Sequence, residues 1–228
     1  MWPADAGSLV AAQDALAAEE PEPWTPDGAP LLIGGCWVTF PRGLTGPGGA
    51  GDHAWAAAVG LCDGNEVARN VVSGVAGAPY RPGMLALRIG RLMEQVVRDL
   101  EPRPDLLIID ASGRDHPRHA GLAVHLGAVL GMPTVGVTHR PLLATGDWPE
   151  DRRGATGPLR IGDEVVASWV RTQAGVRPLV AHAGWSVDLD AAIEVVLATT
   201  TRRRTPEPLR RARQLARLAR NAAGAGPC

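Results

Sequence analysis

Pro104-Asp105-Leu106-Leu107-Ile108-Ile109-Asp110 is the stretch on which the fold class turns. Four consecutive apolar residues between polar flanks mark a parallel strand buried on both faces. A carboxylate follows at the C-terminal end, where α/β sheets place their ligand sites. Just upstream, Met84, Leu85, Leu87, Arg88, Leu92, Met93, Val96, Val97 and Leu100 fall at helical spacing, and Pro102 ends the run. Downstream, the pattern predicts a helix at about 119–130 and a short strand over 134–137. A hairpin across Gly162-Asp163, a strand near 178–182 and a helix over 188–199 come next.

The segment before the first helix reads differently. A strand is expected at 31–40, then a Gly- and Pro-rich connection over 41–51. Strands at 54–61 and 66–73 are joined through Asp63-Gly64, a strong hairpin dipeptide. Three antiparallel strands followed by parallel strands, with helices between, predict an α/β fold with a mixed sheet flanked by helices. The chain divides into a helix and Pro-rich lead at 1–30, a central domain at 31–200, and an Arg-rich C-terminal helix and tail at 201–228. In the lead, the helix is expected from Ser8 to about residue 20, before Pro21, Pro23 and Pro26.

The chain has 228 residues, 45% hydrophobic and 21% charged, an ordinary globular mixture. Its net charge of -1 hides an uneven layout, since Arg202 to Arg220 holds eight arginines and a single acid, Glu207. All 23 basic residues are arginine. No lysine is present to act as a nucleophile, but arginine suits bidentate phosphate contact. Cys36, Cys62 and Cys228 are widely spaced and suggest neither a zinc site nor a disulfide framework. No apolar segment approaches the roughly 18 residues of a membrane span, so a cytoplasmic location is expected.

Two stretches draw attention for chemistry. Asp110 is followed by Ala111-Ser112-Gly113 and then by Asp115, His116 and Arg118. An acid and an imidazole this close suit a divalent metal or proton transfer. The plainer reading has Asp110 capping the turn and His116 packing on the next helix. Pro79-Tyr80-Arg81-Pro82-Gly83 is a rigid loop presenting the chain's sole tyrosine, suited to stacking against a base or to a simple turn before a helix. Arg210, Arg213, Arg217 and Arg220 share one helical face, either a phosphate-binding stripe or a solvated surface. His125 reads as a core histidine, whereas His139 follows the strand at 134–137 and is a candidate neighbour of Asp110.

Together these segments resemble the endonuclease V family over about residues 8–215. The Pro79–Gly83 loop running into Leu85-Ala86-Leu87-Arg88 looks like the family's wedge and helix. Pro104–Asp110 looks like its aspartate-bearing strand. His116-Pro117-Arg118, Gly121–Gly127, Pro133–Val137 and Pro206–Arg210 follow in the family's order. The resemblance implies a ribonuclease-H-like fold that recognises deoxyinosine in DNA or inosine in RNA. It also implies cleavage on the 3′ side with Mg2+ or Mn2+, held by carboxylates. Tyr80, Pro79, Arg81, Pro82 and Arg118 are then the expected nucleic-acid contacts, and Asp110, His116 and His139 the expected catalytic set.

Four positions depart from the family pattern. Trp37 stands where the family carries its first metal-binding aspartate, Ile89 where it carries a glutamate, Trp185 where it carries a histidine, and His139 where it carries a lysine. Of the metal-centred set only Asp110 remains. The expectation is a nucleic-acid-binding relative with lost or strongly impaired cleavage, needing no cofactor. The alternative is an active Mg2+- or Mn2+-dependent nuclease with a site rebuilt from Asp110, Asp115 and His116. A third reading has Trp37 and Trp185 meeting over Asp110, either to form an apolar pocket for a flat ligand or to plug the metal site.

Overall fold

The computed structural model describes residues 2–26, 28 and 30–224; Cys228 lies outside the described residues. Along the chain run α1 (Ala6–Ala17), β1 (Leu32–Thr39), β2 (His53–Cys62), β3 (Asn65–Val75), α2 (Leu85–Arg98), β4 (Leu106–Ile109) and α3 (Leu122–Leu130). They are followed by β5 (Thr134–Thr138), β6 (Thr156–Ile161), β7 (Glu164–Val170), β8 (Leu179–Ala183), α4 (Leu189–Thr199) and α5 (Glu207–Gly224). Eight strands form one sheet in the order β3-β2-β1-β4-β5-β8-β7-β6. β1, β2 and β3 are antiparallel, β1, β4 and β5 are parallel, and β8, β7 and β6 continue antiparallel. This is the mixed sheet flanked by helices that the order of strands along the chain predicts.

Local chemistry sets the element ends. The first helix starts at Ala6, two residues before the expected Ser8, because Asp5 is its cap. The Asp5 carboxylate accepts the Ser8 N–H at 2.8 Å, and the Ser8 hydroxyl accepts the Asp5 N–H at 3.2 Å. α3 begins at Leu122 and not at 119, since His119 has φ 49°, outside the helical region. The β2–β3 turn has Asp63 at φ 50° and Gly64 at φ 75°, the mirror-image turn that matches strand twist.

Strand alternation separates two cores. Cys36, Leu107 and Ile109 face α2 and α3 in a cluster with Ile89, Met93, Val96 and Leu126. Leu106 and Ile108 face the other way, toward Ala192 and Val196 of α4 and Leu209 of α5. Trp37, Val59 and Leu61 pack on the same side against Ala212 and Leu215 of α5. The arginine-rich terminal helix is therefore one whole layer of the fold, with Leu209, Ala212 and Ala216 buried and its arginines directed outward or along the sheet.

The approach of α5 to β1 depends on Gly35. A Cβ there would lie 2.4 Å from the Pro208 carbonyl carbon and 2.7 Å from the Leu209 nitrogen, both backbone atoms. Gly35→Ala is expected to cost about 1–3 kcal/mol by forcing the helix off the sheet. Urea denaturation measures this, and an unchanged midpoint would show that α5 is not seated as described.

Candidate functional site

Parallel pairing of β1 and β4 sets Cys36 opposite Ile109, so the next residues, Trp37 and Asp110, are lateral neighbours. Both point to the α5 side of the sheet. The guanidinium of Arg213, from α5, lies over the Trp37 ring with Cζ 5.0 Å from its centroid. Asp110 accepts no side-chain hydrogen bond among the described residues. Burial pushes its carboxyl up to about 6, against the nearby Arg213 charge, which pulls it down. The Cys36 thiol is pushed up strongly, first by burial and then by the Asp110 charge. His139 is exposed just past β5; partial burial and the charges of Arg204 and Arg213 hold its imidazole below the ordinary range. The Arg213 charge thus acts on both Asp110 and His139, a role that its place in an arginine-rich helix gave no means of distinguishing.

Asp115 and His116 do other work. Asp115 is fully buried and its carboxylate accepts three backbone N–H groups, from Leu142 at 2.6 Å, Leu143 at 2.8 Å and Ala144 at 2.9 Å. His116 is also buried. Its Nδ1 accepts the Arg118 N–H at 3.2 Å, which leaves Nε2–H to donate to the Gly83 carbonyl at 3.0 Å. Desolvation lowers its proton affinity, despite the Gly83 bond, and both ring nitrogens are occupied. The imidazole is a loop anchor here, and neither residue joins Asp110 in a polar group.

The loop it anchors is the Tyr80 loop, tied at both ends. Tyr80 N–H donates to Gly48 O at 3.1 Å. Arg88, buried in α2, donates to Ala78 O at 2.8 Å and Gly49 O at 2.7 Å, pairs with Asp52 at 2.8 Å, and covers the Phe40 ring at 4.3 Å. At the far end Gln13 of α1, itself buried, donates to Gly83 O at 3.2 Å and accepts from Arg118 Nε at 2.7 Å. Arg118 is therefore partly committed to holding the loop. Gln13 and Asp52 had no motif to announce them, because they act across 36 to 105 residues of sequence. Tyr80 stays 44% exposed on this fixed frame, with Pro79, Arg81 and Pro82 also exposed.

A cavity of about 190 Å3 runs from Tyr80, Arg81, Pro82 and Gly83 to Asp110 and Ser112, with Leu142 on its rim. Its lining combines Asp110, Arg81 and Arg140, the hydroxyl residues Ser112 and Thr138, and apolar side chains. That mixture suits a flat, partly polar group such as a nucleobase.

One expected site position lies elsewhere. Ala183 pairs with Val135 and Ala181 with Val137, the level of Asp110, so Trp185 is four residues beyond that level, about 13 Å along the strand direction. Trp185 packs beside Gly127 of α3 and its N–H donates to Thr134 Oγ1 at 2.8 Å. The reading in which Trp37 and Trp185 meet over Asp110 is thereby corrected: antiparallel β8 carries Trp185 to the opposite end of the sheet. Ile89 is buried in the core between α2 and the sheet, 7% exposed. His125 is a core residue, as expected, stacked on Trp2 at 4.6 Å.

A magnesium or manganese ion needs several hard oxygen ligands. Beside Asp110 stand an indole and a guanidinium, and among the described residues no three His, Cys, Asp or Glu side chains are grouped to hold a metal. The donor set does not fit the ion.

Comparison with known proteins follows the same lines. Residues 29–214 match the Endonuclease V family. Endonuclease V of Streptomyces coelicolor is 38% identical over 222 residues, 96% of this chain and 92% of the relative. The crystal structure of endonuclease V from Streptomyces avermitilis is 36% identical, with a TM-score of 0.87 over 98% of this chain and 96% of that one. The fold also matches Ciona intestinalis endonuclease V, solved with a 24mer DNA containing an inosine followed by a ribo-adenosine, at 21% identity and a TM-score of 0.79 over 95% and 98% of the two chains.

Asp110 provides a pH test of this geometry. Its folded value of about 6 exceeds the ordinary 3.8, so the stability linked to its protonated form is full below about pH 4 and is lost as pH rises through 6. Asp110→Asn is expected to gain on the order of 2 kcal/mol over the native chain on going from pH 4 to pH 8. Urea midpoints at the two pH values measure it, and equal differences at both would contradict the buried carboxylate.

Proposed function

Because this chain belongs to the endonuclease V family, we propose that it binds DNA or RNA, inosine-containing strands above all, with cleavage lost or strongly impaired. The observation that carries the binding half is the Tyr80 loop. A half-exposed ring on a frame fixed by Gly48, Arg88, Gln13 and His116 enters a strand without first being ordered, which spares the entropy of folding a loop onto its ligand. A displaced base then has the cavity between Tyr80 and Asp110 to enter. The Ciona relative's DNA complex supports a nucleic-acid partner for this fold.

The cleavage half rests on the surroundings of Asp110. Trp37 and Ile89 offer no oxygen to a cation, and Arg213 places a positive charge where a cation would have to approach. Phosphodiester cleavage of the family type uses ions that activate a water and stabilise the leaving oxygen. One carboxylate beside a guanidinium does not assemble that arrangement.

A second reading keeps Asp110 as the seat of residual cleavage with Mg2+ or Mn2+. Its carboxylate is free of hydrogen bonds among the described residues, Asp110 is part of the cavity lining, and burial raises its carboxyl to about 6. Asp115 and His116 do not contribute to it, since their polar atoms are occupied.

Deoxyinosine and inosine oligonucleotides incubated with Mg2+ or Mn2+, scored separately for binding and for cutting, decide between these. The expected result is salt-dependent binding without cutting, weakened by about 1–3 kcal/mol in Tyr80→Ala. Cutting that Asp110→Ala abolishes would establish the second reading. No salt-dependent binding to any strand would end the first.

A further inference from the structure

The arginines of α5 divide by what they touch. Arg210 is held by Glu207 at 2.7 Å, and Arg211 by Glu207 at 3.0 Å and Glu66 at 3.6 Å. These two are neutralised. Arg220 reaches only neutral oxygens, those of Asn221, Thr39 and Phe40. Arg213 has no hydrogen bond or ion pair among the described residues, and its Nε is buried without a partner. A half-buried guanidinium with unspent donors is costly to leave so, and its donors await an acceptor.

Its surroundings say which acceptor. The guanidinium lies over the Trp37 ring, its Cζ 5.0 Å from the centroid. The planar edge that remains matches two oxygens of a phosphate or carboxylate. Asp110 is the lateral neighbour of Trp37 in the sheet, yet it lies beyond ion-pair distance from Arg213 and accepts no bond from it. Arg204, the other charge acting on His139, is turned to the Pro178 carbonyl, to which its Nη2 donates at 2.7 Å. The Arg213 guanidinium, unpaired with that carboxylate and with its donors unspent, is left receptive to an anion.

We infer that Arg213, stacked on Trp37 beside Asp110, is a metal-independent seat for a backbone phosphate of a nucleic-acid strand, the guanidinium taking the neutralising role of a divalent ion. The inference rests on the nucleic-acid-binding reading above and adds to it which phosphate contact replaces the ion. Bidentate arginine on a phosphodiester needs no divalent cation, so binding persists when metals are removed.

The test uses a labelled single-stranded inosine oligonucleotide in EDTA and in Mg2+, with the native chain, Arg213→Gln, and Arg160→Gln as a control of equal charge on the edge strand β6. Native affinity should be the same in EDTA and in Mg2+. Arg213→Gln should weaken binding about tenfold or more and reduce the slope of log affinity against log salt by about 0.7–0.9, with no such change in Arg160→Gln. Binding that collapses in EDTA, or that Arg213→Gln leaves unaltered, overturns the inference while the nucleic-acid-binding reading stands. A second probe, inorganic phosphate, separates the two ideas. Should no oligonucleotide bind at all, phosphate-dependent quenching of tryptophan emission that Arg213→Gln removes keeps the seat and ends the larger reading. Absence of that quenching ends both.

Discussion

The parallel register of β1 and β4 governs the rest of the site. With Cys36 opposite Ile109, the following residues are neighbours on one face, and that face belongs to α5. The pair at this place is an indole and a carboxylate. The indole fills the space beside Asp110 and supplies a π surface, on which Arg213 rests. The carboxylate, denied hydrogen-bonding partners and half-buried, is held near 6 by desolvation that Arg213 only partly offsets. Geometry of the sheet, occupancy by Trp37 and charge from α5 thus combine to set a π surface and a positive charge beside the carboxylate.

The opposite wall of the cavity is built on a different principle. Its Tyr80 loop gains rigidity from buried polar groups that are fully used. Arg88 spends its guanidinium on two carbonyls, Asp52 and the face of Phe40, and Asp52 is held below the usual carboxylate range chiefly by its bond to Arg88. Gln13 and His116 converge on the single carbonyl of Gly83. A buried ion pair of this kind is weak support for stability by itself, since desolvation offsets much of the Coulomb gain, but removing one partner strands the other. Its use here is to fix where the tyrosine stands. The contrast with Arg213, whose donors are unspent, separates structural arginines from one that is open to a ligand.

Asp115 belongs with the structural group. It looks like a metal ligand when written two residues after Gly113 and one before His116, yet both of its oxygens are turned to the backbone of residues 142–144. That loop forms the rim of the cavity through Leu142. The carboxylate positions the site without facing it.

Periodicity and turn chemistry in the sequence determined the succession of strands and helices along the chain, the hairpins at Asp63-Gly64 and Gly162-Asp163, the buried strand ending at Asp110, and the Tyr80 loop. Each is a local matter of a few consecutive residues, where apolar spacing and backbone preference act directly. The family's motifs likewise carried the expectation that Trp37 stands at the aspartate position. Tertiary structure alone decided that Trp185 stands at the far end of the sheet, that His116 is an anchor, and that Arg213 among eight arginines meets Trp37 and Asp110. These depend on strand direction and on helix packing across more than 100 residues. A residue's chemistry is written in its side chain, but which groups it must share a dielectric and a set of hydrogen bonds with is fixed only when the sheet and α5 close around it.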